Sequence, residues 1–594
     1  VNAQQRVYDY TERIEPCRNF NILAIATVID PLDGKEKLVL SNFAAGAVGN
    51  LILIDPESGD GESIRLPGDE GAWAVLDIGD GCLLIGTCSQ HGYLHRLDLR
   101  TRRWSRPLQL AGESYIWQLA RGSDGMIYGC TYPGCLLLRY DPDRHELRSA
   151  GRASAHPGNL YARHVNGDVP GWMIVTGGME EHFAVAYHLE TASFRPVASF
   201  PDRVVVASGD PGSFVLESGG RRYRYGIDDL GLVDISPAPT GRHPLGELEL
   251  ADGRRAGVRG QDYYIRRPEA TAGGYRRIPT EAPSTLVHTL AVDEQGHVWG
   301  ASAFGQTICR YDPRTGELWN SSAVCNGGGE VYGMVFAAGR LYLSAYAGGD
   351  HIVYDPLQPW AQHDNINPRT LRSVAPAMIR PTGKSVLGPD GGIWTGWSAR
   401  YGVYGGGMSR IDPATLEVQA WYDLIPEQQV AGLAADDRYL YFITDGGASG
   451  LAPKEDAFHF VVLTTEGAIV YDHAFDKGVR PTAVLASGGI VYVCLDEGVH
   501  FFDRERLQFV GQSSLGTLCR CLIALDERTI GAFGDDRLLG IDREQRTVCT
   551  LAELPGQVET AAVAPDGDVY FAAGVKLYRL ERDRVTAVDR RGER

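Results

Sequence analysis

The sequence predicts an all-β fold of two tandem β-propellers, each of about six to seven four-stranded blades. Three observations carry that expectation. One phrase of alternating apolar strands recurs along all 594 residues. Its spacing of about 40–50 residues is that of a propeller blade. Roughly six units precede residue 285 and seven follow it, too many for one ring of about four to eight blades.

The recurring phrase is explicit at residues 297–319, HVWGASAFGQTICRYDPRTGELW, and returns at 126–147, MIYGCTYPGCLLLRYDPDRHEL, and at 38–59, LVLSNFAAGAVGNLILIDPESG. An alternating apolar run ends in a small residue, a short Gly-rich loop follows, and a second run closes on Tyr/Leu/Ile-Asp. Alternation with period two is the mark of strands. Asp-Pro-x-x-Gly is a tight turn, in which Asp accepts from downstream amides, Pro presets φ and Gly takes the positive φ. Upstream of most copies lies another short strand closed by Asp-x-x-Gly, as in LAVDEQGHVW and LGPDGGIW. Each unit therefore reads as four strands, A to D. A single such sheet cannot bury both faces, and radial packing of several solves that while leaving only short edges. The repeats weaken between 204 and 284, which puts the expected boundary at a first propeller of residues 1–284 and a second of 285–594. The segment RVYDYTERI is expected to add a closing strand to one ring.

The bulk numbers narrow the function classes. The net charge of −18 argues against nucleic-acid or anionic-membrane partners, which need a basic footprint. No apolar run approaches the ~18 residues of a membrane helix, and the first residues show no basic-then-apolar leader. Eleven cysteines are scattered, with Cys82, Cys309, Cys494 and Cys549 inside strand patterns. Cys519 and Cys521 lie two apart on one strand, and Cys130 and Cys135 flank a loop. Buried thiols in a reducing compartment fit that distribution, so a cytoplasmic location is expected. No Cys or His pairs stand at zinc-like spacing, so no metal and no cofactor are expected. Oligomeric state is not legible.

The pattern DGxxWxxxxxxGxxxRYDPxTG resembles the broad group of propellers that includes the virginiamycin B lyase type, NHL-like repeats and two-component-regulator propellers. YGVYGGGMSRIDP resembles propellers of carbohydrate-degrading systems. The resemblance covers most of the chain. It implies a propeller fold, and for function it spans lyases, hydrolases, sensors and scaffolds. Kinase, Walker and Rossmann motifs are absent in their required context, and no serine-hydrolase elbow is present.

On a propeller, the B–C loops and the entries to strand A surround one mouth of the central channel, and variable loops on a fixed scaffold carry function. Three consecutive B–C loops of the second half are enlarged: SAYAGGDH (Ser344–His351), GWSARYGVYGGG (Gly396–Gly407) and TDGGASGLAPKEDAF (Thr444–Phe458). They present Tyr346, Asp350, His351, Trp397, Arg400, Tyr401, Tyr404 and Lys454. The strand-A entries add His288, Tyr332 and Arg380. Aromatic walls with cations and a Tyr/His pair suit a sugar acid. The expected chemistry is β-elimination from a uronide, with carbohydrate as the partner. Arg400 and Arg380 would hold the carboxylate, His351 or His288 would take the α-proton, and Tyr346 or Tyr404 would protonate the leaving oxygen. Tyr332, Trp397, Tyr401 and Lys454 would line the substrate. The first half offers a parallel set of His91, Trp117, Tyr132 and His182, with Trp73 and His164 at strand-A entries. There Glu180 and Glu181 keep glycoside hydrolysis open as an alternative, and a non-catalytic binding scaffold is the third reading. His95, His145, His188, His297, His459 and His500 read as structural.

Overall fold

A computed structural model describes residues 8–237, 246–270 and 274–581. Among these, thirteen four-stranded antiparallel sheets follow one another. In twelve of them the strands run in sequence order as a simple meander, with the first strand at the ring centre. The chain is two β-propellers of six and seven blades.

The first ring comprises Phe20–Pro283. Its six inner strands are Ile22–Ile29, Gly71–Gly79, Tyr115–Arg121, Ala162–Asn166, Val204–Asp210 and Leu248–Glu249. Side-chain packing joins its first and last blades: Phe20, Ile22, Leu38, Leu40, Ile52 and Ile54 form one cluster with Leu250, Ala256, Val258, Tyr263 and Ile278.

The second ring comprises the chain from Ser284 onward together with the described residues up to Asn19. Its inner strands are Val287–Val292, Val331–Ala337, Met378–Leu387, Gln429–Ala435, Pro481–Ser487, Cys521–Ala524 and Val558–Val563, taken below as blades 1 to 7. Blade 7 has only three strands of its own, and Asp9–Ile14 supplies the fourth by pairing with Lys576–Glu581. The N-terminal segment thus belongs with the second ring rather than with the residues that follow it in sequence. Its closure is supported by Arg13–Glu581 at 3.2 Å and Lys576–Glu12 at 3.0 Å. Blade 1 also packs on blade 7, with Val287, Leu290, Val298 and Tyr311 against Tyr570, Ala572 and Leu577.

Burial follows position in the blade. Strands B, such as Cys82–Cys88 and Ile393–Ala399, are buried at every residue, because neighbouring blades cover both faces. The outer strands are polar and exposed, as in Gly61–Arg65, which keeps the edges from templating further pairing. Cys82, Cys309 and Cys494 are buried as expected of strand cysteines, whereas Cys549 lies exposed on the outer strand Val548–Glu553.

The turn grammar has a direct structural basis. The Asp312 carboxylate accepts from the Arg314 amide at 2.9 Å, and Gly316, at φ +77°, donates to the Asp312 carbonyl at 2.8 Å. Asp55 does the same for Glu57 and Ser58. The A–B aspartates hold the aromatic tips of strand B. Trp394 donates to Asp390 at 3.1 Å, Tyr441 to Asp436 at 2.7 Å and Tyr128 to Asp124 at 2.9 Å.

Candidate functional site

Eleven inner strands carry a β-bulge, ten of them near the end at which the chain enters from the previous blade and one, in Val204–Asp210, at mid-strand. A bulge leaves one residue out of the ladder and re-aims its side chain. The residues so released in the second ring include His288, Tyr332 and Glu559, and in the first ring Trp73, Trp117 and Arg163. Released residues of successive blades meet. The His288 and Tyr332 rings are 4.3 Å apart, Trp73 and Trp117 are 5.2 Å apart, and the Arg163 guanidinium is 4.5 Å from the Trp117 ring.

In the second ring this geometry assembles a site around Arg380. Its guanidinium donates to the Tyr332 hydroxyl at 2.9 Å and lies 3.9 Å from the Tyr346 ring centre. The Tyr346 and Tyr401 hydroxyls are hydrogen-bonded to each other. Tyr346 is held from below: its amide donates to the Glu330 carbonyl at 2.9 Å, and Gln306 donates to its carbonyl at 2.9 Å. Gly329, at φ +90°, lets the loop pass so close that a Cβ there would meet the Tyr346 ring at 2.5 Å. Glu330, only 5% exposed, sits beside the cluster with Oε2 unpaired.

Burial sets the protonation states. It pushes the Glu330 carboxyl up to about 7, against the pull of Arg380. Burial first, then the Lys384 and Arg380 charges, lowers His288 to about 3, so its imidazole is neutral at neutral pH. Burial holds the Tyr332 and Tyr346 phenols well above their ordinary value. His288, Tyr332 and Arg380 each keep part of their surface accessible although strongly desolvated, as side chains lining a narrow shaft do. Among the described residues Arg380 has no carboxylate at ion-pair distance, and its Nε has no partner. Likewise Nε2 of His288 is unpaired.

Other expected site residues are engaged elsewhere. His351 is fully buried, not a loop residue, because strand C of blade 2 already starts at Asp350. Its Nδ1 donates to the Arg372 carbonyl at 2.9 Å and its Nε2 accepts from Ser409 at 2.7 Å. Ser409 in turn accepts from the indole of Trp397, also fully buried, at 2.7 Å. Both nitrogens are satisfied, so His351 is no proton acceptor for a substrate, and Trp397 lines no ligand surface. Tyr404 donates to the Ala452 carbonyl at 2.7 Å and carries the Lys454 ammonium 4.1 Å from its ring centre, while Lys454 pairs with Glu427 at 2.9 Å. These two residues clip the loops 396–407 and 444–458 together. The Arg400 side chain is exposed at the mouth. Glu330 and Lys384 escape sequence reading, since an isolated Glu before a strand and a Lys within one carry no signal until the register is known.

In the first ring, Trp73, Tyr115, Trp117, Tyr132 and Tyr161 pack on one another at 4.6–5.8 Å between centroids. Tyr115 stacks on Trp117, and the other pairs are tilted or edge-on. His91 stacks on Tyr93 at 4.8 Å and lies 3.4 Å from Asp69. His182 is half-buried at the start of strand His182–His188. Burial lowers His164 to about 3.

A surface cavity of about 390 Å³ is lined by Arg340, Asp355, Ala361, Asn367, Arg369 and Leu416 and shares no residue with the Arg380 cluster. Among the described residues no group of three or more His, Cys, Asp or Glu is placed to hold a metal, and no helix is long and apolar enough to cross a membrane.

These features define a tandem β-propeller protein with an arginine-centred side-chain cluster in its seven-bladed ring. No family model and no curated protein matches the sequence. Among solved structures, the chain is similar to the extracellular domain of a one-component system from B. thetaiotaomicron, at 12% identity and TM-score 0.28, over 97% of this chain and 83% of that one. It is also similar to a catalytically inactive virginiamycin B lyase from Staphylococcus aureus with quinupristin, at 11% identity and TM-score 0.39, over 56% of this chain and 98% of that one.

Proposed function

We propose that the second ring binds the carboxylate of an acidic sugar at Arg380 and cleaves uronic-acid-containing glycans there by β-elimination. The observation that carries this reading is a half-buried guanidinium with an unpaired Nε and no carboxylate at ion-pair distance among the described residues. An arginine is always charged, and its fork matches a carboxylate. Paired with it, the substrate carboxylate loses its negative field and the α-proton becomes acidic. His288 is neutral, and its Nε2, buried and unpaired, accepts that proton from a substrate seated against the ring. The electron pair forms the carbon–carbon double bond, the bond to the glycosidic oxygen breaks, and the Tyr346–Tyr401 hydroxyl pair returns a proton to that oxygen. Tyr332 orients the guanidinium.

The test is incubation of the full chain with uronic-acid and neutral glycans, read by ultraviolet absorbance of unsaturated uronates and by chromatography. The expected result is new absorbance with uronic-acid glycans alone, lost in Arg380→Met and in His288→Ala. Fragments without absorbance would overturn elimination in favour of hydrolysis. No product and no binding of glucuronate to the folded protein would overturn the reading altogether.

A further inference from the structure

The shaft of the seven-bladed ring is crossed by a lysine. The inner strand of blade 3, Met378–Leu387, departs from its register a second time between Arg380 and Lys384. Lys384 itself sits at φ +59°, the left-handed region that costs a non-glycine residue about 1–2 kcal/mol. Such strain persists only where the surroundings impose it, and it gathers at functional sites. From this position Nζ donates to the Glu559 carbonyl at 3.2 Å. Glu559 is the bulged residue of blade 7, and in a ring of seven, blades 3 and 7 stand as far apart as two blades can. The side chain therefore bars the shaft. Its charge is felt by His288 of blade 1, and Cys521 of blade 6 also faces it.

An ammonium has three donors, and one hydrogen bond of Lys384 is accounted for. Glu559 answers it with a carbonyl, while the Glu559 side chain accepts from Gln557 at 2.8 Å. His288 lies under the influence of both Lys384 and Arg380. Two cations thus flank one neutral imidazole, and neither has a carboxylate at ion-pair distance among the described residues.

We infer that Lys384 is the floor of the Arg380 site, and that the site takes a sugar acid carrying two anionic groups, one for each cation. This rests on the reading of Arg380 as a carboxylate site. A ligand with one carboxylate satisfies Arg380 and leaves Lys384 desolvated, with only the Glu559 carbonyl as hydrogen-bond acceptor and the Glu559 charge beyond ion-pair distance. A second anionic group supplies the missing acceptor and removes the remaining positive field from His288. Because the crossbar closes the shaft, ligand reaches the site from the mouth formed by the loops of Tyr346 and Tyr401.

Calorimetric titration of the full chain with glucuronate, with one carboxylate, and galactarate, with two, tests the inference in wild type, Lys384→Met and Arg380→Met. Wild type is expected to bind galactarate at least about tenfold more tightly than glucuronate, the ratio one added charge-assisted hydrogen bond supplies. Lys384→Met is expected to erase that preference and keep glucuronate binding. Lys384→Gln, which retains a donor, checks that any loss is not one of folding. Glucuronate binding that needs Arg380, with no galactarate preference or with a preference that survives Lys384→Met, overturns the two-anion site and leaves the carboxylate reading standing. Failure of both ligands to bind the folded wild type overturns both.

Discussion

The guanidinium carbon of Arg380 lies 3.9 Å from the centre of the Tyr346 ring. The cation–π contact and the Tyr332 hydroxyl fix the plane of the guanidinium, and Nε is left buried without a partner. A half-buried charge without a counter-ion costs stability, and a bound carboxylate, as proposed above, would offset that cost. Arg380→Met is therefore expected to weaken glucuronate binding about 10- to 100-fold, the range of a charged hydrogen-bond pair, while leaving the melting temperature unchanged or raised. Arg380→Lys keeps the charge and loses the fork, and an intermediate loss is expected. Titration calorimetry beside thermal denaturation checks this. A large drop in melting temperature with Arg380→Met would mean that the arginine serves packing instead.

The indole of Trp299 donates to Asp293 at 2.8 Å, and the same carboxylate accepts from the amides of Gln295 and His297 at 3.0 and 2.9 Å. One side chain thus closes the A–B turn and satisfies a buried indole. Asp293→Ala is expected to destabilise the second ring by about 2–3 kcal/mol, since it strands a buried donor as well as opening the turn. Trp299→Phe in the same chain should recover part of that cost, because the buried indole donor is then no longer left unpaired. A calorimetric double-mutant cycle measures the coupling. Additive losses would show that the indole contact carries nothing.

Such pairs explain what was legible. Asp312, Gly316, Asp293 and Trp299 are written into the repeat because each blade needs the same turn and the same tie, and repetition made them visible. The closing role of the N-terminal strand was readable from its alternation, though not the ring it closes. The site was readable in part. His288, Tyr332 and Arg380 stand at strand-A entries, where a mouth was expected. Glu330 and Lys384 were not, since both depend on bulges, and a bulge shifts register without a residue signature. His351 misled because GGDH reads as loop, while the strand begins at Asp350 and carries the imidazole inward.

His351 has its own pH signature. Its neutral imidazole is locked between the Arg372 carbonyl and Ser409, and burial lowers it to about 4. The unfolded chain binds the proton near the ordinary value of about 6.5. The contribution of His351 is complete above about 6.5, is lost as pH falls towards about 4, and does not change below that. His351→Gln, which keeps a donor and an acceptor, is expected to flatten the acid limb of the stability profile by up to about 1.4 kcal/mol per pH unit in that window. An unchanged limb would show that the imidazole is already protonated in the fold.

Glu330 titrates in the opposite sense, and its titration reaches the ligand. Burial raises its carboxyl from 4.5 to about 7. Between those values the folded protein holds a proton that the unfolded chain has released, so its stability falls as pH rises through the window and is constant beyond it. Glu330→Gln is expected to stabilise the second ring at pH 8 by about 2–3 kcal/mol and to change nothing near pH 4. The facing groups leave this window to Glu330. Tyr332 and Tyr346 are held above it, His288 is held below it, and Arg380 stays charged throughout. Below about 7 the neutral carboxyl leaves the guanidinium to an incoming carboxylate, and above it the ionised Glu330 competes for the same cation. Glucuronate affinity in wild type should therefore decline as pH rises from 6 to 8, and Glu330→Gln should make it flat. Equal pH dependence in both proteins would place the competing charge elsewhere and separate Glu330 from the ligand.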